Sequence, residues 1–182
     1  MRIGRDVRAD KDTVIKRTEN LVIGNHVAID KGFYCTTRLM IGDYVHISPY
    51  VTIIGGEWGQ CWIGNFVTIS AGARLICVSD SFDGSGLVGP IVPYKFRNQL
   101  APGNSITVGD LAGICTNAVI SPGVVIGEGA VVGANSFVNK NIPAWEVWAG
   151  SPARFIKKRD DFRIKFYANQ LRQGDTYDEF LV

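Results

Sequence analysis

The chain carries two histidines, His26 and His46, and four cysteines, Cys35, Cys61, Cys77 and Cys115. Imidazole is the side chain whose ordinary pKa suits general-base work near neutral pH, so such chemistry falls to these two positions. Ser79 and Asp80 set a hydroxyl beside a carboxylate, and Asp80 could orient the His46 imidazole in a nucleophile–base–orienter arrangement. The two need not meet within one chain, but they could across an interface between copies. The cysteines are 26, 16 and 38 positions apart and form no CxxC pair. That argues against a zinc knuckle or dithiol redox site and makes them small hydrophobes.

A repeat of six must position these groups. Ile23, Ile29, Cys35, Ile41, Ile47 and Ile53 recur at that interval, and Ile63, Ile69 and Leu75 resume it after four extra residues. Val108, Ile114, Ile120, Ile126, Val132 and Val138 form a third run, with a fainter one at Ile3, Val7, Ala9 and Ile15. Six is neither the helical nor the strand period. It fits a hexapeptide β-helix, in which each repeat gives a short strand and a turn and about three repeats close one coil. Strands are expected within 21–76 and 106–143, with Ile23, Ile41, Ile63, Ile69, Ile114, Ile120, Ile126 and Val132 buried. The glycine after many of these aliphatics is expected to supply a turn geometry that a Cβ would strain. In this frame His26 and His46 point outward.

Composition agrees. Of 182 residues 21 are glycine and 46% are hydrophobic, which favours many regular turns around a core. The net charge of +2 is too small to argue for nucleic-acid or membrane binding. No long apolar run or leader-like start occurs, so the protein is expected to be soluble and cytoplasmic. The repeat is interrupted by a small bulge at 55–60 and a long excursion at 81–107, which carries Pro90, Pro93 and Pro102 with Tyr94, Lys95, Phe96 and Arg97. A loop of that length and composition reads as a binding loop. Residues 1–158 make one β-helix domain, and 159–182 a C-terminal extension whose helix, near 160–173, is expected to cap the open end of the solenoid.

Three segments carry a resemblance. Ile126–Ala134, Val138–Pro143 and Trp148–Arg154 are similar to the C-terminal signature of hexapeptide-repeat acyltransferases, and the likeness spans about residues 21–158. It implies an all-β fold, a left-handed parallel β-helix, a homotrimer, and acyl-CoA as co-substrate with no permanently bound cofactor. Galactoside-type members place a catalytic histidine near the stretch matching Leu75–Asp83, where this chain has none. Ile41–Ser48, Ser79–Gly84 and Pro90–Pro93 instead resemble N-acyltransferases of dTDP-linked 4-amino-deoxy sugars in surface-polysaccharide biosynthesis. γ-Class carbonic anhydrases share the solenoid, but their zinc takes three histidines, and two at a spacing of 20 do not match. No metal is expected.

The resemblance implies a place for each of these residues. The loop 81–107, with Tyr94, Lys95 and Arg97, and the Tyr44/His46 face would hold sugar and nucleotide, and Asp80 or Ser79 would position the amine. Gly113, Ala118 and Ala134 would keep a solenoid face open for the pantetheine arm, bordered by Trp148, while Arg154, Lys157 and Lys158 would meet the CoA phosphates. His26 is structural. Two alternatives stand beside this reading: an O-acetyltransferase of a sugar hydroxyl in lipopolysaccharide or capsule with His46 as base, and a non-catalytic structural β-helix.

Overall fold

The computed structural model describes residues 1–101 and 103–174. The remainder of the expected C-terminal extension, 175–182, lies outside the described residues. Three parallel sheets wind into a solenoid. The first stacks Arg2–Ile3, Val22–Ile23, Arg38–Ile41, Gln60–Ile63, Ser105–Val108 and Val125–Ile126. The second runs from Val7–Ala9 through Val27–Ile29, His46–Ile47, Thr68–Ile69, Gly113–Ile114 and Val131–Val132 to Glu146–Gly150. Glu146–Gly150 also pairs antiparallel with Ala153–Lys158. The third stacks Val14–Ile15, Tyr34–Cys35, Thr52–Ile54, Arg74–Ile76, Val119–Ile120 and Phe137–Val138.

Register follows the repeat. Ile29 pairs with Ile47, Ile47 with Ile69, Ile69 with Ile114 and Ile114 with Val132, although the separations along the chain differ. The extra residues are looped out, because a slip of one residue would turn every inward aliphatic to solvent. All eight residues expected in the core are buried, as are Cys35, Cys61 and Cys77. The stack begins earlier than expected, at Arg2, and Ile3 on its open end stays half exposed.

The glycines serve a different purpose from the one expected. Gly24 and Gly42 follow their aliphatics without a left-handed backbone; a Cβ on Gly24 would lie 2.6 Å from the Gly42 carbonyl carbon, and one on Gly42 would lie 2.8 Å from that of Gly64. Close approach of coil on coil excludes the Cβ. The left-handed position is two residues on, at His26, Tyr44 and Phe66, with φ of 55°, 57° and 57°. Between them runs a ladder that alternates amide and carboxylate. Asp43 Oδ1 accepts from Asn25 N, Asn65 Oδ1 from Asp43 N, and Asp110 Oδ1 from Asn65 N, at 2.6, 2.8 and 2.8 Å. Alternation keeps like charges from stacking.

Helix Phe162–Gln173 does not cap the solenoid end. It lies along the corner between the first and second sheets, where Ala168 is buried, Lys165 sits over the Trp145 ring and Arg172 pairs with Asp110 at 2.9 Å. Arg159, just before it, donates to the carbonyls of Leu111 and Gly129 at 2.9 and 2.8 Å. Cations placed over carbonyls and ring faces fix the helix sideways rather than endwise. No helix among the described residues is long and apolar enough to cross a membrane.

Candidate active site

The excursion between the third and first sheets is shorter than expected. Ser105–Val108 is already strand, in register with Gln60–Ile63, so the insertion ends at Asn104. It folds back on itself. Ser81 N donates to Gln99 O and Ala101 N to Ser79 O, while Leu87 N donates to Phe96 O and Asn98 N to Leu87 O. The small bulge is held by Thr36, whose Oγ1 accepts from the N–H groups of Gly55 and Gly56. Between bulge and insertion opens a cleft of about 950 Å³, lined by Arg17, Trp58, Asp80, Tyr94, Arg97 and Asn98 among others.

Asp80 is partly exposed in this cleft. Its carboxylate is met by Asn98, whose amide satisfies both neighbours in one orientation: Nδ2 donates to Asp80 Oδ1 at 3.0 Å and Oδ1 accepts from Phe82 N at 3.2 Å. Ser79 Oγ donates to the Asp80 carbonyl at 3.3 Å. Arg97 is occupied within the insertion, donating to the carbonyls of Pro90 and Val92. Tyr94 and Trp58 are largely exposed at the rim, and Lys95 lies over the Phe96 ring.

The histidines lie elsewhere. His46 stands outward on the second sheet between Ala28 and Thr68, with Nε2 2.9 Å from Asp30 Oδ2. His26 Nδ1 lies 3.1 Å from Asp6 Oδ2. Tyr44 stacks between the His26 and Phe66 rings, at centroid distances of 4.7 and 4.8 Å, so both faces of its ring are covered. Among the described residues neither histidine lines the cleft that holds Asp80.

No family model matches the chain. It is 28% identical over 162 residues to a dTDP-4-amino-4,6-dideoxy-D-glucose acyltransferase of Escherichia coli, covering 86% of this chain and 81% of that one. It is 40% identical over 139 residues to a probable macrolide acetyltransferase of Lysinibacillus sphaericus, covering 68% and 72%. An N-acyltransferase from Bacillus cereus, solved with dTDP and 3-hydroxybutyryl-CoA, superposes with a TM-score of 0.87 at 30% identity, covering 96% of this chain and 91% of that one. This chain belongs to the hexapeptide-repeat acyltransferases. Its solenoid is the left-handed parallel β-helix of that family.

For a hexapeptide-repeat acyltransferase the residues expected to meet acyl-CoA are scattered. Gly113 lies on the outer column of the second sheet, where an added Cβ would meet only Val131 Cγ2 at 3.8 Å, so this stretch is open. Ala134 is exposed at the following corner. Ala118 is a correction: it is fully buried in the core and keeps no face open, because its side chain follows the inward register. Trp148 packs against the end of the core and its Nε1 donates to Glu146 Oε2 at 2.7 Å. Lys158 Nζ binds the other oxygen of Glu146 at 2.6 Å, and these two donors hold the Glu146 carboxyl below its usual range. Arg154 and Lys157 are exposed on the same strand. Sequence reasoning missed Asn98 and Asp30. Nothing periodic marks Asn98, but Asp30 was in reach, since Ala28 opposes His46 and Asp30 follows two positions later.

Proposed function

We propose that the chain transfers an acyl group from acyl-CoA to the amino group of a dTDP-linked 4-amino-deoxy sugar, in the cytoplasm, supplying surface polysaccharide. The observation that carries this reading is the character of the cleft: its carboxylates are those of Asp80 and Glu57, of which Asp80 is the less exposed, while both imidazoles of the same protomer stand outside it. A neutral amine brings its own lone pair, whereas a hydroxyl generally needs a base near neutral pKa. The Bacillus cereus N-acyltransferase has also been solved with dTDP-4-amino-4,6-dideoxyglucose and coenzyme A. Its structures carry substitutions at a serine and at an aspartate ten positions further on, and Ser70 and Asp80 have that spacing here.

In the reaction the amine nitrogen attacks the thioester carbonyl, the tetrahedral oxyanion collapses, the C–S bond breaks and CoA leaves as thiolate. Asp80 accepts a hydrogen bond from the amine and orients its lone pair; the proton lost from nitrogen passes to Asp80, solvent or the thiolate. Trp58 and Tyr94 offer flat apolar surface at the rim for the nucleotide, and Arg17 a cation for its phosphates. The active unit is a homotrimer with sites between protomers, since one solenoid face is too shallow to bury two substrates. The pantetheine arm runs along the Gly113 and Ala134 stretch, with Arg154, Lys157 and Lys158 toward the CoA phosphates.

Incubation with acetyl-CoA and a dTDP-4-amino-4,6-dideoxyhexose, followed by mass spectrometry, should show an N-acylated sugar nucleotide. Acylation of hydroxyl acceptors alone would overturn the reading. That outcome would favour O-acetylation with His46 as base, for which the 2.9 Å contact between His46 and Asp30 is the supporting observation.

A further inference from the structure

We infer that Asn98 is a positioning residue for Asp80, holding one carboxylate oxygen so that the other faces the acceptor. The inference rests on the reading of Asp80 given above. Asn98 is only 7% exposed, although its neighbours Arg97 and Gln99 are exposed. A buried amide is costly unless its donor and acceptor are both used. Here both are, and each partner belongs to the segment that carries the carboxylate: Asp80 Oδ1 at 3.0 Å and Phe82 N at 3.2 Å.

The backbone keeps the amide in place. Asn98 N donates to Leu87 O, and Gly86 packs so closely that an added Cβ would lie 2.6 Å from Asn98 N. On the other side the bonds Ser81 N to Gln99 O and Ala101 N to Ser79 O hold the stem bearing Asp80. One side chain therefore ties the carboxylate to the returning limb of the insertion. Asp80 Oδ2 has no hydrogen bond among the described residues, and the residue lines the cleft. A carboxylate restrained through one oxygen is pre-organised to accept through the second, where a freely rotating one would lose part of its orientation.

The test compares Asp80→Asn, Asn98→Asp, Asn98→Ala and the double variant Asp80→Asn/Asn98→Asp, each checked for folding by circular dichroism. Asn98→Asp is isosteric, so it removes the donor and sets a second carboxylate against Asp80. A like charge raises the pKa of such a pair, so the limb of kcat/KM set by the enzyme carboxylate should move up by about one pH unit or more, while the limb set by the amine's own ionisation stays in place. Asn98→Ala should lower kcat about 10- to 100-fold, with KM for acyl-CoA changed less than twofold. In the Asp80→Asn background the pH displacement should vanish. If Asp80→Asn is inactive yet Asn98→Asp keeps the wild-type pH profile and rate, the positioning role is wrong and the Asp80 reading stands. If Asp80→Asn is as active as the parent, both fall. A drop in melting temperature with unchanged kcat/KM and pH profile would also overturn the positioning role, whichever Asn98 variant shows it.

Discussion

Nε2 of His46 lies 2.9 Å from Oδ2 of Asp30 on the neighbouring coil of the same protomer. Asp80, the partner that the sequence pointed to, is bound by Asn98 instead. If the acceptor is an amine, His46→Ala and Asp30→Ala should each cost about tenfold or less in kcat, because no strong base is required. Steady-state kinetics of both variants check this. A loss in kcat of about 10²–10⁴-fold with little change in KM, the usual contribution of a positioned base, would move the assignment to O-acetylation.

Ile120 is fully buried between Leu75 and Val138 on adjacent coils. Ile120→Asp should cost about 3–5 kcal/mol, since an uncompensated charge would sit in stacked aliphatic rows. Denaturant unfolding measures the loss, and a variant as stable as the parent would break the register.

Arg159 ties the start of the C-terminal helix to the coil corner through the Leu111 and Gly129 carbonyls. Arg159→Ala should lower stability by about 1.5–3 kcal/mol, the range for hydrogen bonds to a charged group. Hydrogen exchange should then rise in Phe162–Gln173 while the core strands stay protected. Uniform exchange across helix and strands would show that the helix is not held independently.

Burial pushes the Cys35 thiol up to about 12, and a hydrogen bond with Cys77 that favours the protonated Cys61, together with burial, raises that of Cys61. The unfolded thiols ionise near 9.0, so above that pH the unfolded state releases protons that the native state keeps. A raised native pKa means that this contribution to stability is present below about pH 9 and is lost as pH rises toward 12. For Cys35 the slope should be about 1.4 kcal/mol per pH unit in that window. Unfolding free energies of the parent and Cys35→Ala at pH 8, 9, 10 and 11 test it; identical slopes would refute it.

The trimer is checked by sedimentation at micromolar concentration. A single species of three chains is expected. An active monomer would place the whole site within one protomer.

The period of six by itself determines most of the fold. Each aliphatic stacks on its counterpart in the next coil, so burial at Ile41 or Ile114 depends only on position within a repeat, and that rule is local. The same rule located the bulge and the insertion as the places where the period fails. It did not distinguish Ala118, whose small size reads equally well as an open surface or a filled interior. The purpose of Gly42 also needed the neighbouring coil, because what excludes a Cβ there is the backbone of Gly64 rather than a left-handed turn.

Other features were decided by tertiary structure alone. The insertion has no repeat, so no spacing rule relates Asp80 to Asn98; they meet because two backbone limbs fold back and Gly86 lets them close. The C-terminal helix was legible as a helix, but not its seat along the solenoid corner. That seat is fixed by Arg159, Lys165 and Arg172 reaching carbonyls, an aromatic ring and a carboxylate from separate coils. A repeating sequence determines what each position does within its own coil. Where a segment leaves the repeat, its partners follow from three-dimensional closure, because hydrogen bonds and charge contacts there are chosen by distance in space and not by position in the period.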